Sequence, residues 1–305
     1  MAVRHLVALA LVAASAAVPV AKPHARDGMI VFVSDRAGSD AIWGVSAAGG
    51  TPRQLTQPDP AGKQMDSDPS FSPDGKQLIF VRENADYTTD LWVAKADGSA
   101  ARRLVQGVLA ASFAPSGTQI AVVVPSSSGG NALALVPAGG GTPRVVCSGQ
   151  GVIDSVAFGP NGRQVAYSDS ARGIVVAAVG TTVACSTAVL GIAGADDPSY
   201  GPDGTLVWDQ QNPINAGFDI WMKRPTLHAH RIVGNGAADL DPVIAPAGDK
   251  LLFQSDETGN GTQVYLTDLA GRHIVSLGDP QAACTGGYCA GDSDPGWQPL
   301  RQQRR

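Results

Sequence analysis

The chain has 305 residues, enough to bury a sizeable core as one large domain or two ordinary ones. Its 44% hydrophobic and 16% charged content excludes a generally disordered protein, and a net charge of -5 excludes the basic footprint of a nucleic-acid binder. Glycine (37) and proline (21) are abundant, and the acids are nearly all Asp, with Glu only at 83 and 257. A short Asp carboxylate bonds its own backbone, so this bias predicts turns and strand ends in place of long helices.

Residues 1–25 read as a signal peptide and short leader. Arg4 and His5 precede an apolar run from Leu6 to Ala14, and the small residues 14–17 suit a signal peptidase. The run is too short and too Ala-rich for a membrane anchor, so the mature chain is expected to be secreted or periplasmic without one.

From Met29 the stretch MIVFVSDRAGSDAIWGVSAAGGTPRQLT predicts three short strands. Turn signals then recur in one register: SPDGKQL from Ser72, APSGTQI from Ala114, GPNGRQV from Gly159, GPDGTLV from Gly201 and APAGDKL from Ala245. In each, Pro pre-sets the first torsion and Gly takes the left-handed one, which makes a hairpin corner. The corner prolines 73, 115, 160, 202 and 246 are spaced by 42, 45, 42 and 44 residues. A period of about 40–45 residues with four short strands per unit is that of propeller blades. Each corner follows an inner strand ending in Phe71, Phe113, Phe158, Tyr200 or Ile244 and leads into a second apolar strand.

The unit beginning at Met29 lacks an inner strand. Its missing part is at the other end: DSDPGWQP, from Asp292, repeats the DSDPSFSP of Asp66 to Pro73 and puts Trp297 in the slot of Phe71. The expected architecture is therefore all-β, a six-bladed β-propeller over residues 26–299 whose C-terminal strand closes the first blade and removes an open sheet edge. Residues 300–305 are expected to form a disordered basic tail.

The units DxDPxFSPDGxxLxF, SDRxGxxxIW and GGTPRQLT resemble the repeats of the TolB-type propeller family, which also occur in the propeller halves of prolyl oligopeptidase-like enzymes. The match covers about residues 29–299. Blades III and IV depart from it: Ala110 and Ser155 replace the Asp before the usual Pro, and Ala111 and Val156 replace that Pro. The resemblance implies a propeller alone, without the N-terminal domain of TolB or an α/β-hydrolase domain, and a fold of this kind hosts many functions.

No G-x-S-x-G elbow, P-loop or dinucleotide fingerprint is present. His228 and His230 could face one side of a strand as metal ligands, but they fall on the outermost strand of blade V, where solvent-facing polar residues are expected. The DETGNG loop from Asp256 loosely resembles a calcium loop, yet its twelfth position is Thr267, and it occupies a hairpin slot of the repeat. Cys284 and Cys289 could close a small loop as a disulfide, leaving Cys147 and Cys185 to pair, although three pairings are formally possible. The rival reading of Cys284 and Cys289 as half a zinc site lacks a second ligand pair.

The candidate site comes from comparing blades. The start of each inner strand and the loop between the second and third strands share one face of an up-and-down propeller. Asp66 and Asp68, Asp239 and Asp241, and Asp292 and Asp294 occupy three such starts, with Asp197 at a fourth; blades III and IV carry Val108 and Ala110, then Ile153 and Ser155. These acids predict an acidic arc on one side of the channel mouth and an apolar arc opposite. Clustered carboxylates repel one another and so invite a basic group or a divalent cation such as calcium. The plainer reading is that an Asp before Pro caps the strand start locally. Arg36, Tyr87, Arg172, Gln210, Gln211 and Asn212 lie on neighbouring loops as candidate contacts. The expectation is a non-enzymatic, monomeric propeller that binds a protein or peptide in the cell envelope. The alternatives are a metal-dependent hydrolase or lyase using the Asp arc, and an accessory or scaffold propeller of an envelope or peptidase system.

Overall fold

The computed structural model describes residues 26–59, 61, 63–127, 129–148, 151–179, 188–191, 193–257, 261–277 and 291–300. The expected leader and residues 301–305 lie outside these, as do Cys185, Cys284 and Cys289. The described elements are all strands, arranged as six four-stranded antiparallel sheets. Among the described residues no helix is long and apolar enough to cross a membrane.

In blades II to VI sequence order runs outward from the axis within each sheet. Blade II spans residues 65–106, blade III 110–148, blade IV 156–190, blade V 195–233 and blade VI 240–276. Their inner strands end at the residues that precede the corner turns: Phe71, Phe113, Phe158, Tyr200 and Ile244. The corner glycines are left-handed, as the motif requires; Gly75 and Gly117 both have φ of 69°.

Blade I is composite. Its inner strand, Asp292–Leu300, pairs antiparallel with Arg26–Ser34 from the other end of the chain. Trp297 stands opposite Ile30 as Phe71 stands opposite Leu78, so the two phrases are equivalent in space. The strand runs through Leu300, one residue beyond the boundary expected from the repeat. Gln298 ties it further: its amide nitrogen donates to the Gly75 carbonyl of blade II at 2.8 Å, and its oxygen accepts from the Met29 backbone N–H at 3.1 Å. A Cβ at Gly75 would collide with the Pro299 carbonyl, so the corner of blade II needs glycine for a second reason.

Hydrophobic cores lie at the blade interfaces. Val31, Val33 and Ile42 pack with Phe71, Leu78 and Phe80 between blades I and II. Val207, Ile220 and Met222 pack with Leu251, Phe253 and Tyr265 between V and VI. The junction that exists only because the ring closes, between VI and I, holds Ala245, Leu252 and Val264 against Ile30, Phe32, Val45 and Trp297. Successive sheets bury their apolar faces against each other, leaving the axis to the inner strands.

Candidate functional site

Around the axis lies a channel of about 470 Å³ lined by the inner strands. One side carries Asp68, Asp197, Asp241 and Asp294; the other carries Ala110, Ala111 and Ser155. The lopsided lining expected from the blade comparison is therefore present for the second acid of each pair.

Local backbone chemistry explains how these four reach the channel. Each precedes a proline, and at each the inner strand slips register against its neighbour. The four Asp residues adopt left-handed φ values of 49°, 47°, 50° and 44° in chain order. Asp is among the few side chains that tolerate this region, and a bulge re-aims a side chain away from the alternating pattern. Blades III and IV lack the Asp-Pro step, and their inner strands pair without a register shift.

Within the arc the carboxylates touch. Single oxygens of Asp197, Asp209 and Asp241 lie within 4.8 Å of one another. The backbone N–H of Asp241 donates to Asp209 Oδ2 at 3.1 Å, and that of Asp68 to Asp294 Oδ2 at 3.3 Å. At the blade IV edge, Ser155 Oγ donates to Asp196 at 2.5 Å and accepts from the Asp197 N–H at 3.1 Å. The Oδ1 of Asp209, whose side chain is fully buried, has no hydrogen-bond partner among the described residues.

Such crowding shifts protonation. Burial, then repulsion from Asp196 and Asp294, pushes Asp197 up to about 7, against hydrogen bonds from Asp241 and Asp209. Burial followed by repulsion from neighbouring arc acids also raises Asp68, Asp241 and Asp209 well above the ordinary carboxylate range. Asp68 keeps surface open to the channel although protein surrounds it, so water tempers its shift. The arc therefore holds its charge only by sharing protons or by taking up a cation.

The first acid of each pair sits elsewhere. Asp66 and Asp292 are buried inside blades II and I, each gripped by a guanidinium. Arg82 donates to Asp66 at 2.6 and 2.7 Å, and Arg36 donates to Asp292 at 2.5 and 2.7 Å. Each guanidinium also lies over an aromatic pair, Phe80 with Trp92 and Phe32 with Trp43, at 4.7–5.4 Å from the ring centres. Asp239 is as buried as Asp66, yet among the described residues no guanidinium pairs with it; Ser255 and the Asn235 backbone temper its charge instead. Arg172 is held by Asp169 at 2.8 and 3.0 Å and by the Tyr167 hydroxyl at 3.1 Å. Tyr87 is 84% exposed on its loop, Gln211 is exposed, and Gln210 and Asn212 are buried. His228, His230 and His273 are all exposed.

Sequence comparison passed over Asp209 and Asp196. The signal for Asp209 was present: it is an acid in the second strand of blade V where blades I and II carry Val33 and Val81.

The fold and site together define a six-bladed β-propeller, clasped by its C-terminal strand, with an acid-lined channel. Its fold is similar to that of TolB propellers: TolB from Acinetobacter baumannii superposes with a TM-score of 0.73 at 15% identity, over 89% of this chain and 67% of that one. A candidate TolB from Agrobacterium tumefaciens gives 0.62 at 21% identity, over 84% and 89%. A chain of a nidogen/laminin complex gives 0.66 at 12% identity, over 89% and 98%. An uncharacterized protein of Agrobacterium fabrum is 27% identical over 250 residues, 76% of this chain and 80% of the relative. No protein-family profile matches the chain.

Proposed function

We propose that this chain is an exported, non-enzymatic propeller that receives a protein or peptide partner of the cell envelope at its channel mouth. The observation that carries this reading is the one-sided channel, with Asp68, Asp197, Asp241 and Asp294 facing Ala110 and Ser155. A partner with a basic tip beside an apolar flank complements both halves of that lining. That the nidogen/laminin complex contains the same fold supports protein binding as a use of it. Calcium is the cation that suits the arc in the absence of a partner, because it accepts several carboxylate oxygens in flexible geometry.

Calorimetric titration of the purified protein with calcium, and with short lysine- and arginine-bearing peptides, tests the arc. Asp197→Asn with Asp241→Asn should weaken both by tenfold or more while leaving the chain folded, with a melting temperature unchanged or raised as the buried repulsion is relieved. Unaltered affinities would remove the channel mouth from consideration. The cluster of Asp197, Asp209 and Asp241 also favours a second reading, a metal-dependent hydrolase or lyase. Stoichiometric tightly bound metal together with turnover of saccharide or peptide substrates would establish it in place of the first. Export implies oxidised cysteines, and the pairs Cys147–Cys185 and Cys284–Cys289 belong to this proposal.

A further inference from the structure

Four successive blades, V, VI, I and II, each place one carboxylate on the open channel: Asp197, Asp241, Asp294 and Asp68. Asp68 is exposed there and the other three are partly exposed, so all four are open to the space of about 470 Å³. They form two groups. Asp197 and Asp241 have oxygens within 4.8 Å of each other and of Asp209, and Asp294 accepts the Asp68 backbone N–H at 3.3 Å. Asp209 is wholly buried on the second strand of blade V and backs the first group. Its Oδ2 accepts the Asp241 N–H, while its Oδ1 has no partner among the described residues.

No Lys, Arg or His is among the described residues that line the channel, so positive charge must come from outside the chain. Burial and then repulsion from neighbouring acids raise Asp68, Asp197 and Asp241, and a cation among them relieves the second cause. The rest of the wall is apolar. Ala110, Ala111 and Val156 face the acids, and Phe71, Phe158 and Trp297 continue the lining toward the corner turns. A primary ammonium points three donors at single oxygens in different directions, whereas a planar guanidinium forks onto one carboxylate. Two acid groups on neighbouring blades fit two such charges joined by a chain, whose methylenes cover apolar surface as a lysine stem does.

We propose that the channel holds a linear polyamine, with one terminal ammonium seated between Asp197 and Asp241 and the other between Asp294 and Asp68. Its methylenes lie against Ala110, Ala111 and Val156. A compact divalent cation or a single lysine side chain fills one seat and leaves the other without its countercharge. The ligand goes beyond a protein partner at the mouth, since it is a small molecule inside the channel, although it draws on the same acids.

Calorimetric titration of the full chain at pH 7.5 and physiological salt, which screens diffuse ionic attraction, provides the test. The probes are 1,5-diaminopentane and spermidine, with butylamine as the control that carries one ammonium. Each polyamine should bind saturably, one per chain, and at least tenfold more tightly than butylamine. Asp197→Asn with Asp241→Asn, and separately Asp68→Asn with Asp294→Asn, should each reduce polyamine affinity to that of butylamine for the unaltered chain. Asn tolerates the left-handed backbone of these four positions, so both variants keep the inner strands in place. Equal binding of the polyamines and butylamine, or undiminished polyamine binding in either paired variant, overturns the proposal. Binding of lysine-bearing peptides without binding of polyamines also overturns it while leaving the protein-partner reading standing. The reverse pattern sustains it and removes that reading.

Discussion

Replacing Trp297 by alanine should lower the melting temperature by roughly 10 °C. The indole is 7% exposed and packs with Ile30, Phe32, Val45, Leu252 and Val264, so it holds blade VI to blade I, whose two inner strands come from opposite ends of the chain. Burying about 200 Å² of aromatic surface contributes about 5 kcal/mol at about 25 cal/mol per Å². The indole Nε1 has no hydrogen-bond partner among the described residues, and its desolvation offsets about 1–2 kcal/mol of that. The remaining loss of about 3–4 kcal/mol agrees with the usual cost of a buried Trp-to-Ala change. At about 2–4 °C per kcal/mol for a domain of this size, the shift follows. Circular dichroism melts of wild type, Trp297→Ala and a chain ending before Asp292 provide the assay. The truncation removes the whole inner strand of blade I and should be at least as damaging. A shift under about 2 °C in both variants would refute closure by the tail strand as the source of stability.

Arg82→Ala should cost roughly 3–5 kcal/mol, because Asp66 would stay buried without its guanidinium; Asp66→Asn in the same chain should recover part of the loss, measured by urea unfolding. Asp239 and Asp197 are raised to about 6 and about 7, so their charged forms disfavour the folded state. Their contribution to stability is greatest below the ordinary Asp value and is lost as pH rises from about 4 through about 7. Asp239→Asn should therefore be neutral near pH 4 and stabilising near pH 7.5, by at most about 3 kcal/mol, and a flat difference across that range would contradict the assigned burial. Intact mass under non-reducing conditions should show the hydrogens of two disulfides missing, and thiol labelling of the denatured protein would count against them.

Much of the ring was legible before any coordinates. The corners needed Pro and Gly at fixed offsets, and the inner strands end at Phe71, Phe113, Phe158, Tyr200 and Ile244 because each corner follows directly. The tail's repeat of an early phrase also placed Trp297 correctly. The candidate site was legible only by half. Seven acids with one repeat pattern looked like one arc, yet Asp66 and Asp292 turn into the blades while Asp68, Asp197, Asp241 and Asp294 line the channel. The alternation of a regular strand would put residues two apart on one face; the bulge at each Asp-Pro step breaks that rule.

What the sequence determined by itself was the repeat, the all-β class and the closing of head by tail, because turn chemistry and hydrophobic period are local properties that recur in register. Which carboxylates share a space was decided only in three dimensions. Asp209 joins Asp197 and Asp241 across two blades, and Asp239 lacks the guanidinium that two sister blades possess. Those facts depend on inter-blade distances and on what fills a buried slot, and no spacing along the chain encodes either.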